Sequence, residues 1–174
     1  MAKPLDFEKE KLIVNVIYHD ENVLKAALLR LKETFGEIEL ISEPFSFGDY
    51  SSYYDTELGG EGIRQIFAFK ECVDPTRAAE IKLLTNEIEA EFSRKINLDP
   101  GLINDGHLIL MSAKPLGFRV ALSGGIYADY TLFYARGKYN KLPWTYRDYQ
   151  NEDVQNFLLR VRRSYVLWRR SRLG

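Results

Sequence analysis

The spacing of apolar and polar positions changes several times along the chain, and each change marks an element. From Lys11 to Tyr18 (KLIVNVIY) almost every residue is apolar or β-branched, the pattern of a central strand covered on both faces. Asp20 is suited to cap the helix that follows, in which Val23, Leu24, Ala27, Leu28, Leu31 and Phe35 recur at helical spacing until Gly36 stops it. Glu37 to Ser42 alternates as a strand, and Ile63 to Glu71 does so again with Ile63, Gln65, Phe67 and Phe69 on one face. Asp74-Pro75 starts a second helix, expected to run to about Lys95 with Ile81, Leu84, Ile88 and Phe92 inward.

Beyond that helix Asp99-Pro100-Gly101 reads as a turn. His107 to Ala113, Phe118 to Leu122 and Ile126 to Ala135 read as three strands whose short connections make them antiparallel neighbours. A last helix runs from about Glu152 to Arg170, with Val154, Phe157, Leu158, Val161, Tyr165 and Trp168 as its apolar stripe. The expectation is an α+β fold: a ferredoxin-like β-α-β-β-α-β core extended by antiparallel strands, a C-terminal helix, and helices on one side of the sheet. Pro44 to Gly62 has no period and carries Phe45, Phe47, Tyr50, Tyr53 and Tyr54 among glycines and serines. A loop of that length is uncommon unless it functions or lacks order, and the first reading makes it a lid.

The chain's 174 residues, 45% of them hydrophobic, suit a single domain over 1–174. Nothing resembles a signal peptide and no apolar run approaches the roughly 20 residues that cross a bilayer, so a soluble cytoplasmic protein with no membrane partner is expected. Cys72 is alone, which excludes an intrachain disulfide; with only His19 and His107 beside it, a zinc site of Cys/His type is excluded and a metal would need carboxylates. The net charge of -1 hides an asymmetry, because residues 1–99 carry 12 basic and 20 acidic side chains and residues 100–174 carry 12 and 5. Either the two parts lie together and compensate, or the basic part faces phosphate or nucleic acid. Arg160, Arg162, Arg163, Arg169, Arg170 and Arg172 concentrate the charge on the last helix, on what is ordinarily a solvated face.

An aspartate in mid-strand needs a partner, and Asp129 shares one face of its strand with Tyr127, Thr131 and Phe133. With Ser123-Gly124-Gly125 as a three-residue hairpin loop, 122 pairs with 126 and Arg119 falls opposite Asp129, with Ser112 beside Arg119 in the next strand. This is either a structural ion pair or the polar floor of a cleft. Asn97, Asp99 and Gly101 sit where the chain re-enters the sheet, as a reversing turn or facing that cleft. Lys82, Asn86 and Glu89 form a stripe off the apolar face of the second helix, the pattern of solvated surface. Trp144-Thr145-Tyr146-Arg147-Asp148-Tyr149 has neither period; it either stacks on and hydrogen-bonds a flat ligand or pins the last helix to the sheet.

Glu43-Pro44-Phe45 with Tyr53-Tyr54, Asn97-Leu98-Asp99-Pro100-Gly101, Gly125-Ile126-Tyr127-Ala128-Asp129, and Pro143-Trp144-Thr145-Tyr146 through Asp148-Tyr149 together resemble the prokaryotic proteins grouped as domain of unknown function 4416. The resemblance covers nearly the whole chain and implies kinship without a mechanism. It departs at Leu102, where a tyrosine would follow Pro-Gly, and at Arg147, where a proline would stand.

No G-x-x-x-x-G-K-[ST] loop, G-x-G-x-x-G fingerprint or G-x-S-x-G elbow is present, which sets aside a P-loop NTPase, a dinucleotide dehydrogenase and an α/β-hydrolase. Neither histidine lies in the His-x-Thr or His-x-Ser setting of a paired-histidine phosphoesterase. Two main readings remain, with a protein-interaction role behind them. In the first, the domain binds a small polar or phosphorylated metabolite, a nucleotide among the candidates, in a cleft lined by Asn97, Asp99, Arg119, Tyr127, Asp129, Tyr146 and Asp148. Were it an enzyme, Asp99 and Asp129 would do acid/base or metal work and Arg119 would stabilise an anion. In the second, it is a nucleic-acid or ribonucleoprotein accessory domain using the arginine helix and exposed tyrosines.

Overall fold

Strand β1 (Glu10–Tyr18) lies at the heart of the sheet, and every residue from Lys11 to Tyr18 is buried, as its unbroken apolar run requires. The computed structural model describes residues 3–48, 50 and 55–173. After β1 come α1 (Glu21–Phe35), β2 (Ile38–Ile41), β3 (Phe45–Ser46), the single turn α2 (Asp55–Leu58), β4 (Ile63–Val73), α3 (Ala78–Glu91) and β5 (Ile96–Ile103). The chain continues through β6 (His107–Ser112), β7 (Val120–Ala121), β8 (Tyr127–Ala135) and β9 (Lys138–Lys141) to α4 (Glu152–Leu173). These strands form one open sheet in the order β2-β4-β1-β5-β6-β8-β7, with β3 added to β4 and β9 to β8. Every pairing is antiparallel.

The caps act as their residue types dictate. The Asp20 side chain accepts from the Asn22 N–H at the start of α1, and Gly36 closes the helix at φ 90°, a left-handed conformation that favours glycine. Asp74 caps a short 3-10 turn, Pro75–Arg77, that leads into α3. The second helix ends at Glu91, short of Lys95, because Ser93 and Arg94 turn to positive φ.

Successive strand residues point to opposite faces, and the two faces are covered differently. Leu12, Val14 and Val16 of β1 pack with Phe67, Phe69, Leu98 and Leu102 beneath α1 and α3, which contribute Leu24, Ala27, Leu31, Ile81 and Ile88. Ile13, Ile66, Ala68, Ile103, Leu108 and Leu110 face the other way and pack against Val154, Phe157, Leu158 and Val161 of α4. The sheet is thus covered on both sides, which corrects the expectation of helices on one side. An amphipathic stripe states which side of a helix is buried but not which face of a sheet receives it.

Three further corrections concern strands. Asp99-Pro100-Gly101 is no turn; it lies inside β5, which pairs along its whole length with β1, Asn15 opposite Asp99 and Ile13 opposite Gly101. The strand expected at Phe118 to Leu122 is reduced to β7, which pairs with β8 and not with β6, so the connection between Ser112 and Val120 crosses from one edge of β8 to the other. Finally, β8 carries a bulge. His107 and Leu108 pair with Phe133 and Leu132, but Ile109 and Leu110 pair with Tyr130 and Asp129, leaving Thr131 as the extra residue. The bulge breaks the simple alternation and brings Leu132 onto the same face as Asp129.

Among the described residues, no helix is long and apolar enough to cross a membrane.

Candidate functional site

A cavity of about 390 Å³ opens on the α4 face of the sheet, where β5 and β6 part. Their ladder runs from Ile103–Leu108 to Gly101–Leu110 and stops there. The next residue of β5 is Pro100, which has no N–H to donate to it. At the last rung the backbones are close: a Cβ on Gly101 would sit 2.8 Å from Leu110 Cδ2 and 3.1 Å from the Ile109 carbonyl oxygen, so glycine is required. Past that point Asp99 of β5 and Met111 and Ser112 of β6 face the opening.

The floor is a row of polar side chains on adjacent strands of the same sheet face. On β4, the buried Arg64 forms an ion pair with Asp148 and donates to Asn15 Oδ1 of β1 at 2.8 Å, while its guanidinium lies 4.4 Å from the centre of the Tyr149 ring. Beyond the opening, Arg119 donates from Nε to Asp129 Oδ2 at 2.9 Å, and both side chains are 2% exposed. The same guanidinium donates to Ser112 Oγ at 2.7 Å, to the Lys114 carbonyl at 2.8 Å and to Tyr146 Oη at 2.8 Å. Arg119 is therefore fixed from four directions.

Asp99 is held from behind the sheet. Lys82 of α3 donates to Asp99 Oδ1 at 3.1 Å and to the Leu98 carbonyl at 2.8 Å, and Asn97 Nδ2 donates to Asp99 Oδ2 at 2.7 Å. Glu89, 4.0 Å from Lys82, accepts the Leu98 N–H at 2.6 Å. Lys82 and Glu89 are buried, which corrects the solvated-surface reading of their stripe. Burial pushes the Asp99 carboxyl up, but Lys82, Asn97 and Arg64 more than offset it, so Asp99 titrates below its ordinary range. Its side chain stays 37% exposed because it faces the cavity. Glu89 moves the other way: burial, seconded by the nearby Asp99 charge, raises it against the pull of Lys82 and the Leu98 N–H. Burial also keeps the Tyr149 phenol protonated well past its usual range.

Of the residues singled out from sequence, Asp99, Arg119, Asp129, Tyr146 and Asp148 line this one cavity. Asn97 and Tyr127 do not; Asn97 orients the Asp99 carboxylate, and Tyr127 lies at the start of β8 opposite Ala121 and Ser112. The hairpin register expected from Ser123-Gly124-Gly125 is present, with Leu122 N–H on the Ile126 carbonyl and Val120 opposite Ala128. Ser112 does touch Arg119, although it arrives from the far side of β8. Trp144 fixes its own segment to the sheet, donating to the Tyr130 carbonyl at 2.9 Å and stacking on Phe118 at 5.1 Å, while its neighbours Tyr146, Arg147 and Tyr149 reach the cavity. Within the loop expected to act as a lid, Phe47 and Tyr50 line the cavity and Tyr50 Oη accepts from Asn151 Nδ2 at 2.8 Å; Tyr53 and Tyr54 lie outside the described residues.

Asn15 and Arg64 were missed as cavity residues. Their signal is a polar residue inside a largely apolar strand, at Asn15 within KLIVNVIY and at Arg64, next to Gln65, within IRQIFAF. Leu102, one of the two positions at which the chain departs from the family pattern, is buried under the helices on the opposite face, and Arg147, the other, lines the cavity. Among the described residues, no group of three or more histidines, cysteines and carboxylates stands close enough to hold a metal ion.

An antiparallel sheet between helices, opened by a proline into a cavity floored by paired charges, places the chain among mixed α/β proteins with a polar site on the sheet. The chain belongs to the family described as Domain of unknown function (DUF4416), whose pattern matches residues 8–165. No curated protein and no solved structure matches it.

Proposed function

We propose that the protein binds a small polar or phosphorylated metabolite in the cavity between β5 and β6. The observation that carries this reading is the convergence of three separate ion pairs, Arg64–Asp148, Arg119–Asp129 and Lys82–Asp99, on one opening of about 390 Å³ walled by Phe47, Tyr50, Tyr146 and Tyr149. Such a volume falls in the range of small-molecule sites, about 300–1,000 Å³, and fixed polar groups on strands with aromatic walls are what a specific site needs. We read β2-β4-β1-β5, with α1 and α3 against one face, as a ferredoxin-like core, and the cavity as built where that core meets its extension β6-β8-β7. Such a core hosts many activities, so the reading rests on the site and not on the fold.

A thermal-shift screen against nucleotides, sugar phosphates, divalent cations and short RNA tests it. A ligand at 100 times its dissociation constant adds about 2.7 kcal/mol of stability. A shift from a small molecule that disappears in Tyr146→Ala, whose side chain is exposed at the rim, supports the cavity. Shifts from RNA alone, lost in high salt, would move the function to α4. That second reading has less charge than the sequence offers it. Arg162 donates to the Asp105 carbonyl and lies 3.4 Å over the Tyr134 ring, and Arg169 pairs with Glu8 and Asp105, leaving Arg160, Arg163, Arg170 and Arg172 exposed.

A further inference from the structure

We infer that the cavity is an anion site for a phosphorylated, ring-bearing small molecule of nucleotide size, with Arg147 anchoring its phosphate. The inference rests on the cavity reading above and names its ligand class. Three aspartates line the opening, and by themselves they would suit a metal or a cationic ligand. In the fold each already has its own cation: Lys82 at 3.1 Å from Asp99, Arg119 at 2.9 Å from Asp129, and Arg64 on Asp148. A second cation would have to displace one of these buried partners and leave it unpaired, which is costly. Arg64, Arg119 and Lys82 balance the three aspartates, so Arg147 brings a further positive charge to the lining. Arg147 is exposed at the cavity and has no ion-pair partner among the described residues, so its charge is available to a ligand.

A second observation points the same way. Arg64 is 2% exposed and lines the cavity; two of its nitrogens hold Asp148 and Asn15, yet its buried Nε finds no acceptor among the described residues. A buried cationic N–H is rarely left unmet, and the oxygen of an anion is the acceptor it calls for. The remaining wall suits the rest of such a molecule. Aromatic rings offer stacking, and the ionised Asp99 can accept from hydroxyl groups.

Titration calorimetry of the full chain with the four ribonucleosides and their 5′-monophosphates tests the assignment, using wild type, Arg147→Gln and, as a control of equal charge loss, Arg170→Gln. The expected result is a monophosphate bound about 10- to 100-fold more tightly than its nucleoside by wild type and Arg170→Gln, with that preference lost in Arg147→Gln and nucleoside affinity unchanged. Equal affinity for nucleoside and monophosphate overturns the anion site while leaving the cavity reading in place, and a preference that survives Arg147→Gln overturns Arg147 as the anchor. A preference lost equally in Arg170→Gln overturns Arg147 as the anchor. Binding of none of these probes overturns the ligand class, and the broader screen then decides the cavity reading on its own.

Discussion

The two faces of the sheet are made from alternate residues of the same strands, yet they differ in kind. Under α1 and α3, β1 offers Leu12, Val14 and Val16 to a closed apolar core. On the α4 face the same strand offers Ile13 to apolar packing and then Asn15 to the polar cavity. Helix α4 begins only at Glu152, so its apolar stripe covers one end of its face and leaves the other to the segment carrying Tyr146, Asp148 and Tyr149. The difference teaches that a fold can keep stability and specificity apart on one strand, because the two-residue period lets one side chain change without touching its neighbours.

The largest effect is expected from the closed face. Phe69 is fully buried and meets Phe35 edge to face at 5.7 Å, so Phe69→Ala should cost up to about 5 kcal/mol in urea unfolding. A cost under 1 kcal/mol would show that this face is not the closed core described. On the cavity face, Asp129→Ala strands the Arg119 guanidinium and should cost about 3 kcal/mol, since Ser112, the Lys114 carbonyl and Tyr146 still hold it. Adding Arg119→Met should return most of that loss. If the double variant is less stable than the single one, the bonds of Arg119 to Ser112, the Lys114 carbonyl and Tyr146 outweigh the cost of its unpaired charge.

The smallest effect concerns pH, and it separates the two members of the Lys82 network. Glu89 is raised in the folded state, so its contribution to stability is greatest in acid and declines as pH rises through its unfolded value of about 4.3. Unfolding of Glu89→Gln should therefore move in the variant's favour between pH 4 and pH 7. Asp99 is lowered, so its contribution is present above its unfolded value of about 3.9 and lost as pH falls through the folded one. The penalty of Asp99→Asn should accordingly be full at pH 7 and shrink below about pH 4. Parallel pH profiles for the two variants would contradict the opposite environments of these carboxylates.

Local signals survived the passage from sequence to structure where the physics is local. The Asp20 cap, the Gly36 stop and the Asp74-Pro75 start each depend on one or two residues, and each is found in place. The Arg119–Asp129 pairing was legible because a short hairpin loop fixes the register of its flanks. What failed depended on distant partners. Asp99-Pro100-Gly101 has every mark of a turn, and it is held extended because β1 supplies a ladder for it. Lys82 and Glu89 have the spacing of a solvated stripe, and they are buried because the edge of β5 beyond Pro100 presents a free carbonyl and N–H at Leu98 for them to meet.

By itself, then, the sequence determined the three long helices, the strands β1, β2, β4, β6 and β8, how the β7–β8 hairpin is set, and the family to which the chain belongs, since these follow from periods, caps and short loops. Tertiary structure alone decided that α4 covers the second face, that the β8 bulge carries Leu132 over to the side of Asp129, and that the sheet opens at Pro100. It also decided that Asp99 meets Lys82 and Asp148 meets Arg64 at the same opening as the Arg119–Asp129 pair. The reason is physical: charge pairing acts through space at a few ångströms, and only the folded chain sets those distances.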